Sequence, residues 1–146
     1  MSVALDVNTL LYGSDRDSPH HEPAVRFLRA IARGPDVWCL AWPTVMSYLR
    51  IATHPGIFTH PLTAAEALHN VEALSRLPHV RLIGEGEGFW DVYLQVVASA
   101  PARGNQVPDA HLAAILRQHG VRTLYTSDAD FRRFDFLRTI DPLANG

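Results

Sequence analysis

The chain has 146 residues, 47% hydrophobic and 19% charged, with a net charge of -2. That length fits a single domain over residues 1–146 with a core of its own, and the composition excludes a disordered chain. The near-neutral charge provides no global field for nucleic acid, and no run of about 18 apolar residues offers a membrane span.

All 13 basic residues are Arg, which leaves fork-shaped donors and no ammonium groups. The one cysteine, Cys39, lies in the apolar run Trp38-Cys39-Leu40 and is expected in the core, where it has no partner for an internal disulfide. Together with an N-terminus that lacks a basic region and meets an acid at position 6, this predicts a cytoplasmic protein.

Val3 to Leu5 reads as a buried strand that runs straight into Asp6. Asn8 to Tyr12 is predicted as a short helix and Gly13 to Pro19 as a loop. From His20 to Arg33 the residues Ala24, Phe27, Leu28 and Ile31 fall on one helical face, with Arg26, Arg29 and Arg33 beyond it. Val37 to Leu40 is a second strand. Trp42-Pro43 opens a helix whose inward face is Val45, Tyr48, Leu49 and Ala52, and Thr53-His54-Pro55-Gly56 stops it.

The Thr63 to Glu66 segment has the pattern of a capping box, and its helix is predicted to reach about Arg76. Val80 to Ile83 is a third strand, followed by the glycine-rich turn Gly84 to Gly88 and a helix from Phe89 to Ala100. An irregular loop from Ala102 to Pro108 leads into a small-residue helix from about Asp109 to His119, closed by Gly120. Thr123 to Tyr125 is a fourth strand, Ser127 to Phe131 a short helical turn, and Leu137 to Ile140 a final edge strand. This order fits a parallel sheet with helices on both faces.

Three acids stand at predicted element boundaries: Asp6 after the first strand, Asp109 at a helix start and Asp128 after the fourth strand. In an open parallel sheet such positions converge at the carboxyl ends of the strands. A charge there is unfavourable unless something binds it. Three or four carboxylates suit Mg²⁺ or Mn²⁺, which lower the pKa of a bound water and stabilise charge on a phosphodiester. There is no G-x-S-x-G motif, and the eight histidines show no zinc-ligand spacing.

Four stretches, Val3-Ala-Leu-Asp6-Val-Asn8-Thr9-Leu-Leu-Tyr12, Tyr48-Leu-Arg50-Ile-Ala-Thr53-His54-Pro55, Val107-Pro-Asp109-Ala-His-Leu-Ala-Ala114 and Thr126-Ser-Asp128-Ala-Asp130-Phe-Arg-Arg-Phe134, occur in an order and spacing that resemble the PIN-domain ribonucleases, and more narrowly the VapC-type toxins of bacterial toxin–antitoxin pairs. The resemblance implies an α/β/α sandwich with a central parallel sheet of four to five strands. It implies metal-dependent endonuclease activity on RNA, inhibition by a small cognate antitoxin, and a homodimer. By position, Asp6, Asp109 and Asp128 match family acids, Asp130 an accessory acid, and Asn8 the polar residue that supports the first acid. Ser47 departs from the pattern, standing three residues before Arg50 where the family usually has Glu. It brings a hydroxyl and no charge, so the expectation is weaker metal binding, a substitute acid from elsewhere with Asp130 as the candidate, or lost activity.

Each acid has a plainer reading as a helix or turn cap. Arg50 either meets RNA phosphate or snorkels from its helix. Arg103 and Asn105, in the loop before Asp109, are placed to meet substrate, whereas Arg132 and Arg133 read as a solvated face. The first helices, around Leu11, Tyr12 and Phe27, are candidates for a partner surface. Two other functions remain: an RNA- or antitoxin-binding module without catalysis, motivated by Ser47, and a phosphohydrolase with Asp6 as nucleophile. The second lacks its usual second Asp, since Asn8 stands there, and has no Lys for a phosphoryl group.

Overall fold

Ser2–Leu5 (β1) forms the centre of the molecule, and a computed structural model describes residues 1–144 around it. Val37–Ala41 (β2) and Thr123–Tyr125 (β4) flank β1, while Val80–Ile83 (β3) and Arg138–Ile140 (β5) form the edges. The order is β3-β2-β1-β4-β5 and every neighbouring pair is parallel. Six helices connect the strands: Val7–Ser14 (α1), His21–Ile31 (α2), Trp42–Ala52 (α3), Ala64–Ser75 (α4), Phe89–Ser99 (α5) and Gln106–Gln118 (α6). A 3-10 turn, Ala129–Arg133, joins β4 to β5. The predicted parallel sheet with helices on both faces is therefore the observed one.

Alternation along the strands divides the core. Val3, Leu5, Trp38 and Leu40 pack with Leu10 of α1, Ile31 of α2, Val45 and Tyr48 of α3 and Ala67 of α4. The intervening Ala4, Cys39 and Ala41 pack instead with Val96 of α5, the alanines of α6, Phe131 of the 3-10 turn and Phe134 just after it. Small residues stand on both sides of the second face, Ala4, Cys39 and Ala41 on the sheet and Ala110, Ala113 and Ala114 on α6, among larger ones such as Leu124 and Leu116. The connections leaving β1 and β4 thus go to opposite faces. The crevice between the carboxyl ends of these two neighbouring strands is the topological switch point, where open α/β sheets bind their ligands.

Several boundaries differ from those expected: α2 ends at Ile31 and not at Arg33, the short helical turn is Ala129–Arg133 and not Ser127 to Phe131, and two further shifts have a physical reason. Gly13 belongs to α1 and not to the following loop, because α2 crosses there: a Cβ on Gly13 would lie 2.6 Å from Leu28 Cδ1. Helix α6 starts at Gln106, three residues earlier than expected, and places Pro108 in its first turn, where a missing N–H removes no hydrogen bond. The capping box is present in both directions, Glu66 N–H to Thr63 Oγ1 at 3.1 Å and Thr63 N–H to Glu66 Oε1 at 2.9 Å. Gly120 closes α6 with φ +70°, and the next amide, Val121 N–H, donates to Leu116 O at 2.9 Å. Among the described residues no helix is long and apolar enough to cross a membrane.

Candidate metal centre

Asp6 ends β1 and is buried, with 8% of its surface exposed. It caps α1: Val7 N–H donates to its Oδ1 at 2.8 Å. Its other oxygen, Oδ2, accepts the Thr126 hydroxyl at 2.8 Å, a bond across 120 residues of sequence. The plain cap and the functional acid are the same side chain, since each oxygen has a different partner. Burial pushes the Asp6 carboxyl above its ordinary range, the Thr126 and Val7 donors pull it down, and Asp128 pushes it up again.

Thr126 follows β4, and its hydroxyl also accepts Asp128 N–H at 3.0 Å. One buried threonine therefore ties the first acid to the loop that carries the other two. Asp128 in turn accepts Asp130 N–H on Oδ1 at 2.9 Å, which opens the 3-10 turn. Asn8 stands beside this knot, its Oδ1 3.5 Å from the Thr126 hydroxyl, too long for a strong bond.

Asp109 arrives from the other face, in the first turn of α6. Asp109, Asp128 and Asp130 each present an oxygen, all within 4.8 Å of one another. Partial burial, then the charges of Asp128, Asp6 and Asp130, push the Asp109 carboxyl up to about 6, against the pull of Arg133. Such a cluster is strained by its own charge, and a cation relieves it. The donors are all carboxylate oxygens, the chemistry of Mg²⁺ or Mn²⁺, and oxygens within 4.8 Å of one another are near enough to share one such ion. The residues fit the ion.

Asp6, Asp109, Asp128 and Asp130 are thus brought together. Ser47 is half-buried in the middle of α3 and contributes no charge. Arg50 is exposed in the last turn of α3. Arg103 and Asn105 are exposed just before α6, where Arg103 N–H donates to Gln106 Oε1 at 3.2 Å. The cation that acts on Asp109 is neither Arg50 nor Arg103 but Arg133. The expectation of a solvated Arg133 is corrected: the side chain is half-buried, donates from Nη2 to the Pro101 carbonyl and lies 5.5 Å from the Phe134 ring. Phe131 and Phe134 are both in the core and draw it inward. Phe27 is half-buried and packs against Trp38 and Tyr125. Thr126 was not singled out from the sequence. Its signal was a polar, β-branched residue directly after a strand and two before an acid.

Comparison with known proteins agrees with this geometry. The PIN domain family matches residues 3–137. The ribonuclease VapC48 of Mycobacterium tuberculosis is 42% identical over 144 residues, covering 99% of each chain. Among solved structures, VapC20 of M. tuberculosis, described as a Sarcin-Ricin loop cleaving toxin, superposes with a TM-score of 0.64 at 17% identity, covering 89% of this chain and 92% of that one. VapBC2 from Rickettsia felis, bound to a DNA fragment from their promoter, gives 0.66 at 14%, covering 96% and 98%. The two structures show the shared fold, and the sequence match shows more. With its acids at the switch point of the sheet, the chain belongs to the PIN domain family and, within it, to the VapC-type ribonucleases.

Proposed function

We propose that the chain is a Mg²⁺- or Mn²⁺-dependent endoribonuclease, the toxin of a toxin–antitoxin pair, acting on RNA in the cytoplasm. The observation that carries this is the convergence of four carboxylates from β1, α6 and the β4–β5 connection on one crevice. Asp109, Asp128 and Asp130 would hold the ion, with Asp6 beside them. A bound divalent ion supplies an activated water and offsets the charge that builds on the scissile phosphate.

The protein's own part is preorganisation. Thr126 and Val7 N–H fix both oxygens of Asp6, and Asp130 N–H fixes Asp128, so these carboxylates need little rearrangement on binding. Asp109 carries a proton up to about pH 6 and must release it for the cluster to act at full charge. Arg103 and Asn105, exposed beside the start of α6, are the nearest candidates from the sequence to steady an incoming strand, and Arg50 lies farther along α3. Asp130, close enough to share an ion with Asp109 and Asp128, supplies the acid that Ser47 does not. For that reason a catalytically silent module is the weaker reading.

An antitoxin has a place to bind. A groove of about 400 Å³ lies between α1–α2 and α3–α4, lined by Leu10, Val25, Leu28, Val45, Leu74 and Leu77. A second copy of the chain would cover apolar side chains left at the surface, Trp42 and Met46 on α3 and Trp90 and Leu94 on α5. The test of function is cleavage of total RNA by the purified chain, stripped with EDTA and then given Mg²⁺ or Mn²⁺. Cleavage that vanishes on stripping and returns with the metal supports the proposal. Cleavage that persists in EDTA, or that never occurs with either ion, contradicts it.

A further inference from the structure

We propose that the outward face of α2 is a track for the phosphate backbone of single-stranded RNA, formed by Arg26, Arg29 and Arg33 around a floor of Ala30 and Gly34. These five residues line a shallow depression of about 500 Å³. Arg26 and Arg29 are exposed on the helix and Arg33 is exposed just past its end. Arg26 and Arg29 lie about 4.5 Å apart along the helix axis, and Arg33 follows past the end of α2, within the reach of a few consecutive phosphates.

The alternative is an ordinary solvated face, with Arg29 and Arg33 favoured near the negative end of the helix. Two observations favour the track. First, among the described residues no carboxylate oxygen lies within 4.0 Å of any of the three; the ion pairs join other residues. Arg26 and Arg29, three residues apart on α2, repel one another, and a surface shaped for solubility alone would interleave the signs. Second, the floor is small and low. Ala30 and Gly34 allow a backbone to approach between the arginines, and the lining contains no large apolar side chain to anchor a protein. Guanidinium forks are the donors that match phosphate. The inference rests on the ribonuclease reading in one respect, that the polyanion is RNA.

The experiment is fluorescence anisotropy of the full chain with a long unstructured RNA, free of divalent metal so that nothing is cut, over a range of monovalent salt. Wild type is compared with the triple variant R26Q/R29Q/R33Q. Three lost contacts should reduce the slope of log K against log salt by about 2, and weaken binding roughly 10- to 100-fold near 0.1 M salt. Cleavage of an RNA of a few nucleotides, too short to leave the crevice, should be unchanged in the variant. If the triple variant does not fold, Arg33→Glu, outside the helix, should still lower the slope by about 0.7 or more. A wild type that binds and cuts long RNA, with a variant equal to it in slope and affinity, overturns the track alone. Equal RNA binding with lost binding to polyglutamate would reassign the face to an acidic protein and also overturn it. A wild type that neither binds nor cuts RNA removes the ribonuclease reading as well.

Discussion

At the scale of single residues, the site is an arrangement of who donates to which oxygen. Thr126 donates to Asp6 and accepts from Asp128 N–H, so Thr126→Val removes both bonds at constant shape. We expect a loss of about 1–3 kcal/mol in denaturant unfolding, because a buried carboxylate and an amide both lose their partner. Metal affinity should fall at the same time. Asp109 makes a prediction with a definite sign. Its carboxyl in the folded chain titrates at about 6, above the ordinary 3.8. The folded form therefore holds the proton more tightly than the unfolded form, and stability is lost as pH rises from about 4 to about 6. Asp109→Asn removes that loss. In metal-free protein the variant should be more stable than wild type at neutral pH, by a margin that shrinks from pH 6 downward and vanishes near pH 4. Melting temperatures across that range measure it; a margin independent of pH would mean that neither burial nor the neighbouring acids raise this carboxyl. The sequence made Asp6, Asp109, Asp128 and Asp130 visible because each stands at an element boundary. It hid Thr126 and Arg133, whose roles depend on what folds against them: an acid 120 residues away in one case, two core phenylalanines in the other.

At the scale of elements, α6 sets the position of Asp109. Ala110, Ala113 and Ala114 are fully buried, and they face the small Ala4, Cys39 and Ala41 of the sheet. Ala113→Leu should cost about 1–3 kcal/mol through overpacking, and should weaken metal binding by lifting the first turn of α6 from the crevice. Ala98→Leu, exposed on α5, is the control and should change neither. Thermal unfolding and metal titration of the two variants separate packing from charge. The strands and the capped helix α4 were legible because period, turn residues and the Thr63–Glu66 box act locally. The start of α6 was misread because Pro108 usually marks a break, and only the count of unbonded amides in a first turn shows that it can sit inside. Gly13 was misread as a loop residue because its reason for being glycine is Leu28, on another helix.

At the scale of the whole molecule, sheet order converts a dispersed sequence pattern into one centre. With β1 between β2 and β4, the chain ends its first and fourth strands side by side, and α6 returns over the opposite face to deliver Asp109. The parallel sheet could be inferred from the run of elements, but the order of its strands could not, because periodicity along a strand does not say which strand lies beside it. A divalent ion bound by the folded state alone should raise the melting temperature in proportion to the logarithm of its concentration. Mg²⁺ and Mn²⁺ should do so in wild type and much less in Asp109→Asn. The most direct test of the single centre is Mn²⁺ calorimetry on wild type and Asp6→Asn, with RNA cleavage followed in the same samples. Asparagine keeps the cap on α1, so the variant should stay folded, bind Mn²⁺ at least about tenfold more weakly, and cease to cut. Unchanged metal affinity and cleavage in Asp6→Asn would contradict the account, leaving Asp6 as a helix cap and nothing more.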